Sequence, residues 1–170
     1  MRKIEPSVTF KRAVLRTICE TAAANQNEVA GLLVGRSTGA WRWRIEHHLP
    51  LATVFSSPDE VWYEEEQVLE AKRRALEYHP PNEGLGMWHS HPWDEAQAVC
   101  LMPQLDSEDK RNIVPGEMAC IAVAFPKPDF KLPTYSKFCL QRGVGSRIVR
   151  VEIWHKDMKR KVRPCILRLR

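Results

Sequence analysis

Two histidines one residue apart open the chemistry of this chain. They stand in Gly86-Met87-Trp88-His89-Ser90-His91-Pro92. At positions i and i+2 of a strand, both imidazoles point to one side, as a single cation requires. Pro92 ends the strand behind them. A catalytic zinc takes three protein ligands and leaves one position open. The third ligand is then another histidine or a carboxylate, and the acid-rich turn Asp106-Ser107-Glu108-Asp109 follows at loop distance. Asp109, one turn into a helix, projects back toward the histidines. Metal-assisted hydrolysis also needs a carboxylate near the metal to handle a proton. Glu28, the lone acid ahead of an apolar run, is the candidate for that role.

The elements that must position these residues follow from periodicity. Val8, Phe10, Val14, Leu15 and Ile18 predict a helix over 7–24, closed by Asn25-Gln26-Asn27. Residues 28–35 read as a buried strand and Ser37-Thr38-Gly39 as a hairpin turn. Over 41–48, Trp41, Trp43 and Ile45 alternate with Arg42, Arg44 and Glu46, a half-buried strand. Ser56-Ser57-Pro58-Asp59 reads as a helix start with Asp59 as N-cap. The helix then covers 60–78, with Val61, Val68, Leu69 and Leu76 facing inward. After Pro80-Pro81, residues 85–89 form the histidine strand, and a short helix runs from 106 or 107 to 113. Residues 118–124, 138–141 and 148–155 are further strands. His47-His48 reads as surface, and His79 and His155 as histidines without partners.

The chain of 170 residues is long enough for one domain, 1–170. With 44% hydrophobic and 28% charged residues it has a globular composition. Its longest apolar runs, 29–34 and 119–125, are strand-length and far short of a membrane span. The formal charge of +5 is a property of the basic C-terminal tail, 156–170, and the remaining chain is close to neutral. No aromatic interleaving accompanies the tail, so nucleic acid is not the expected partner. Cys19, Cys100, Cys120, Cys139 and Cys165 are odd in number and contain no C-x-x-C pair. This excludes a disulfide scaffold and predicts a reducing, cytoplasmic location. Cys19 and Cys120 read as core thiols.

Glu28 ahead of Gly31-Leu32-Leu33-Val34-Gly35, then His89-Ser90-His91-Pro92, then a downstream acid, together resemble the JAMM motif of the JAB/MPN metallopeptidase family. The resemblance spans roughly residues 7 to 155. It implies an α/β (α+β) fold with a mixed, mainly antiparallel curved sheet flanked by helices. It also implies one Zn²⁺ held by His89, His91 and Asp109, with Glu28 as the acid/base that passes a proton to the leaving amine. Family members cleave isopeptide or peptide bonds after the C-terminal tail of ubiquitin-like proteins. Small standalone bacterial members share operons with ubiquitin-like, activating and conjugating proteins, some of them antiphage systems. The expected partners are therefore a ubiquitin-like protein or its conjugates and those enzymes, with no membrane. The family pattern leaves seven residues between the second histidine and a serine, and at the serine's place this chain has Val99. Counted back from Asp109, Asp106 occupies the serine position. Two alternatives follow: Ser107 supplies the hydroxyl, or Asp106 is the ligand and Asp109 a helix charge. Residues 93–105 are then a loop insertion beside the metal, where Trp93 and Met102 hold a substrate tail. A catalytically inactive MPN scaffold that binds partners is the competing reading.

Overall fold

The computed structural model describes residues 5–93, 105, 107–128 and 137–170. The chain opens with β1 (Ser7–Phe10) and α1 (Arg12–Ala24), then forms β2 (Ala30–Gly39) and β3 (Arg42–Pro50). A small hairpin, β4 (Phe55–Ser56) and β5 (Val61–Trp62), precedes α2 (Glu65–Tyr78). β6 (Glu83–Pro92), α3 (Ser107–Asn112) and β7 (Met118–Pro126) follow. β8 (Cys139–Val144), β9 (Arg147–Lys156), β10 (Val162–Pro164) and β11 (Ile166–Leu169) complete it. The main sheet has nine strands in the order β10-β9-β7-β6-β2-β3-β1-β11, with β8 also on β9. β6/β7, β1/β3 and β1/β11 are parallel, and the other pairs are antiparallel. The fold is thus α+β with a mixed, mainly antiparallel, curved sheet. No described helix is long and apolar enough to cross a membrane.

Each face of the sheet buries its own set of side chains. On the inner face, Val14, Leu15, Ile18, Cys19 and Ala22 of α1 pack on Leu33, Ile45, Trp88, Cys120 and Ile153. On the outer face, Ala71 and Ala75 of α2 cover Leu32 and Val34. Leu105 and Ile113 cover Ile121, Val123 and Phe125 beside them.

Five sequence expectations change. Residues 7–24 are not one helix: Val8 and Phe10 are both 0% exposed at period two, so 7–10 is a strand and the helix starts at Arg12. The turn between β2 and β3 lies at Ala40-Trp41, one step beyond the Ser-Thr-Gly signal, with Trp41 at φ 61°. The stretch 60–78 divides into β5 and α2, and Glu64 rather than Asp59 occupies the N-cap position of α2. Leu69 and Leu76 are 58% and 60% exposed, because α2 lies close to the sheet through alanines. The basic segment 156–170 is not a free tail. It supplies β10 and β11, which sit at opposite ends of the strand order and are joined through Cys165 alone. Cys165 N–H donates to Ile153 C=O at 2.8 Å and Leu167 N–H to Lys137 C=O at 2.9 Å. The last residues therefore pull the curled sheet nearly into a barrel.

Histidines outside the motif are not isolated either. His155 is buried against Trp43, with ring centroids 4.7 Å apart, and against Trp41, at 5.4 Å. His47 stacks on His79 at 4.1 Å, and His48 meets the edge of Trp88. Cys19 and Cys120 are core thiols. Cys100 lies outside the described residues.

Candidate metal centre

The pleat of β6 aims the two histidines outward. Leu85 and Trp88 both enter the inner core although they lie three positions apart, an odd spacing that a regular strand cannot give. A bulge resolves this: Leu33 pairs with Gly86 and Val34 with Gly84, leaving Leu85 extra. Gly86 takes φ 147° there, and a Cβ on it would lie 2.0 Å from the Met118 carbonyl oxygen. Glycine meets both demands. With the pleat reset, Trp88 and Ser90 face inward and His89 and His91 outward, beside Ile121 and Val123 of β7.

Four side chains converge on that outer face. His89 Nε2 lies 3.1 Å from His91 Nε2 and 3.2 Å from Asp109 Oδ1. Asp109 Oδ2 lies 3.9 Å from His91 Nε2. Glu28 Oε1 lies 2.6 Å from His91 Nδ1, and Glu28, His89 and His91 each offer a donor atom within 4.8 Å of the others. Tetrahedral zinc with bonds of about 2.0–2.1 Å separates its ligand atoms by about 3.3 Å. The edges from His89 Nε2 to His91 and to Asp109, at 3.1 and 3.2 Å, match that separation. The donor set of two imidazoles and a carboxylate suits zinc as well.

The electrostatics favour a cation. Burial opposes charging of His91, but the carboxylates of Asp109 and Glu28 outweigh it and push the ring up to about 9. Burial pushes Asp109 up, and the imidazoles of His89 and His91 more than reverse this, holding it well below the usual carboxylate range. Glu28 is 3% exposed. Despite its closeness to His91, its Oε1 makes no aligned hydrogen bond among the described residues. By facing His91 Nδ1, Glu28 leaves Nε2 as the nitrogen that a metal ion would meet.

The structure thus brings together Glu28, His89, His91 and Asp109. Ser107, the first residue of α3, is exposed. Asp106 and Met102 lie outside the described residues. Trp93 packs against the outer core of Leu105 and Ile113. Tyr63 is a neighbour that sequence reasoning missed. Burial and the carboxylates of Asp109 and Glu117 push its phenol up. Ser56 was missed too, because residues 55–62 carried helix signals. Two strands from the histidines on the same face, Glu152 is buried, which pushes its carboxyl up to about 7 against the pull of Trp154 and Arg150.

No family model matches the sequence, and no curated protein matches it. Among solved structures, the chain is similar to the solution structure of protein DSY2949 from Desulfitobacterium hafniense, at a TM-score of 0.61 and 19% identity. The similarity covers 96% of this chain and 92% of that one. At that identity the likeness is one of fold: the two chains share their architecture over nearly their whole lengths.

Proposed function

We propose that this chain is a zinc-dependent isopeptidase or peptidase of the JAB/MPN (JAMM) type, with an MPN-like fold. It cleaves after the C-terminal tail of a ubiquitin-like modifier, in deconjugation or precursor processing. The observation that carries this reading is the convergence of His89 Nε2, His91 Nε2 and the Asp109 carboxylate, with Glu28 at its edge. The order of elements supports it: a helix, a strand entered by Glu28, a hairpin, a helix, the histidine strand, and a short helix bearing Asp109. His89, His91 and Asp109 hold the ion. Zinc supplies Lewis-acid activation of water and of the scissile carbonyl near neutral pH. The Glu28 carboxylate takes a proton from the attacking water and delivers it to the leaving amine. The ubiquitin-like protein and its activating and conjugating enzymes are the partners, in the cytoplasm.

The test loads the full chain with zinc and follows two probes, a lysine-linked ubiquitin conjugate and a linear C-terminal extension of ubiquitin. One zinc per chain and cleavage that a chelator abolishes are expected. A chain that binds no zinc, or cleaves equally well with chelator present, overturns the proposal. One zinc with no cleavage of either probe or of the chain's own modifier identifies the inactive scaffold instead.

A further inference from the structure

A proton-handling carboxylate is effective only when held still, yet Glu28 stands on no regular element. β2 begins two residues later, and its ladder with β6 ends at Ala30 opposite His89. Two serines take over where the ladder stops. On the hairpin side, Ser56 Oγ donates to Glu28 C=O at 2.6 Å, and Glu28 N–H donates to Ser57 C=O at 2.7 Å. Asn27 Nδ2 ties the same corner by donating to Ser56 C=O at 3.1 Å. On the β6 side, Val29 N–H donates to Ser90 Oγ at 3.0 Å, and Ser90 N–H donates to Val29 C=O at 2.9 Å. Ser90 is 1% exposed.

Every backbone polar group of the Glu28-Val29 dipeptide is therefore engaged, two of them by serine hydroxyls. Both hydroxyls are bonded to backbone rather than to the cluster. Unsatisfied backbone groups at such a buried corner are costly, so losing either hydroxyl favours a local shift of the chain. A displacement of about 1 Å at a reacting group is enough to cost roughly 100-fold in rate.

We propose that Ser56 and Ser90 are positioning residues that clamp Glu28 from two sides, the first from the hairpin and the second from the histidine strand. The proposal rests on the metal-centre reading above, with Glu28 as the proton-handling group. The test uses Co²⁺ as the probe ion in the full chain and reads the pH midpoint of its visible absorption, without turnover. Glu28→Gln is expected to move that midpoint by about one pH unit or more. Ser56→Ala and Ser90→Ala move it in the same direction by roughly half a unit. Ser56→Thr, which keeps the hydroxyl, restores it. Adding Ser56→Ala to Glu28→Gln produces no further shift, because the serine acts through the glutamate. All variants keep one Co²⁺ and a near-parental melting temperature; should Ser90→Ala fail to fold, Ser56→Ala alone decides. A Ser56→Ala midpoint that stays put, or a shift that persists undiminished on the Glu28→Gln background, overturns the clamp. A parental chain that binds no Co²⁺, or a midpoint that Glu28→Gln leaves in place, overturns the metal-centre reading and the clamp with it.

Discussion

Glu28 and His91, 2.6 Å apart, set the behaviour of the site at the scale of single residues. Glu28→Gln keeps an oxygen beside His91 and removes the proton-accepting charge. Zinc stoichiometry is expected to stay at one per chain while cleavage falls by roughly 10²–10⁴-fold; turnover near the parental rate removes Glu28 from the chemistry. The raised affinity of His91 for a proton has a signed consequence. In the metal-free chain its ring titrates at about 9, against about 6.5 when unfolded. The extra stability is fully present below pH 6.5 and is lost as pH rises through 9, with a size on the order of 3 kcal/mol. Urea unfolding of metal-free protein across that window is expected to show the decline, and His91→Gln to flatten it. Metal binds the neutral ring, so binding expels a proton and zinc affinity rises with pH over the same range, which calorimetry in buffers of different ionisation heat measures. The pairing of His89 with His91 was legible because i and i+2 share a face on any strand. Glu28 was legible because an acid heading an apolar run is conspicuous. The choice between Asp109 and Asp106 was not, since no periodicity crosses 93–105; Asp109 lies against His89, and Asp106 is outside the described residues. Ser56 and Tyr63 were hidden because their place depends on a hairpin whose sequence carries helix signals.

At the scale of elements, the bulge of β6 is what turns a strand pattern into a site. Gly86→Ala would drive a Cβ against the Met118 backbone at a positive φ. It is expected to destabilise the fold by about 3 kcal/mol or more and to weaken zinc binding by displacing both histidines. Denaturant unfolding and a zinc titration check the two effects separately; a variant as stable as the parent would mean that the strand straightens without cost. Strands such as β3, with its alternating pattern, and β9 were readable from sequence. The errors fell where two periods overlap. Val8 and Phe10 serve a strand, yet they merge smoothly with the helical spacing of Val14, Leu15 and Ile18. In α2 the large apolar residues misled. Ala71 and Ala75 are the buried ones, because a helix lying close on Leu32 and Val34 leaves room only for a methyl group.

For the whole molecule, the decisive contacts join its two ends. Ser7 pairs with Ile166 and Phe10 with Leu169, and Cys165 and Leu167 belong to the inner core. Deleting residues 162–170 uncovers an edge of β1 and opens the sheet between β9 and β1. Loss of a cooperative thermal transition by circular dichroism is expected; a sharp parental-like melt would show that the remaining strands suffice. Composition placed the basic charge in this region correctly, but charge says nothing of strand pairing, and Val162, Cys165 and Leu167 are too few to announce two strands. The closure has a consequence for how the protein is made. One edge of β1 can pair with β3 soon after both are made, but its other edge waits for the distant β11. With pairings this distant along the chain, the final ordering step is slow.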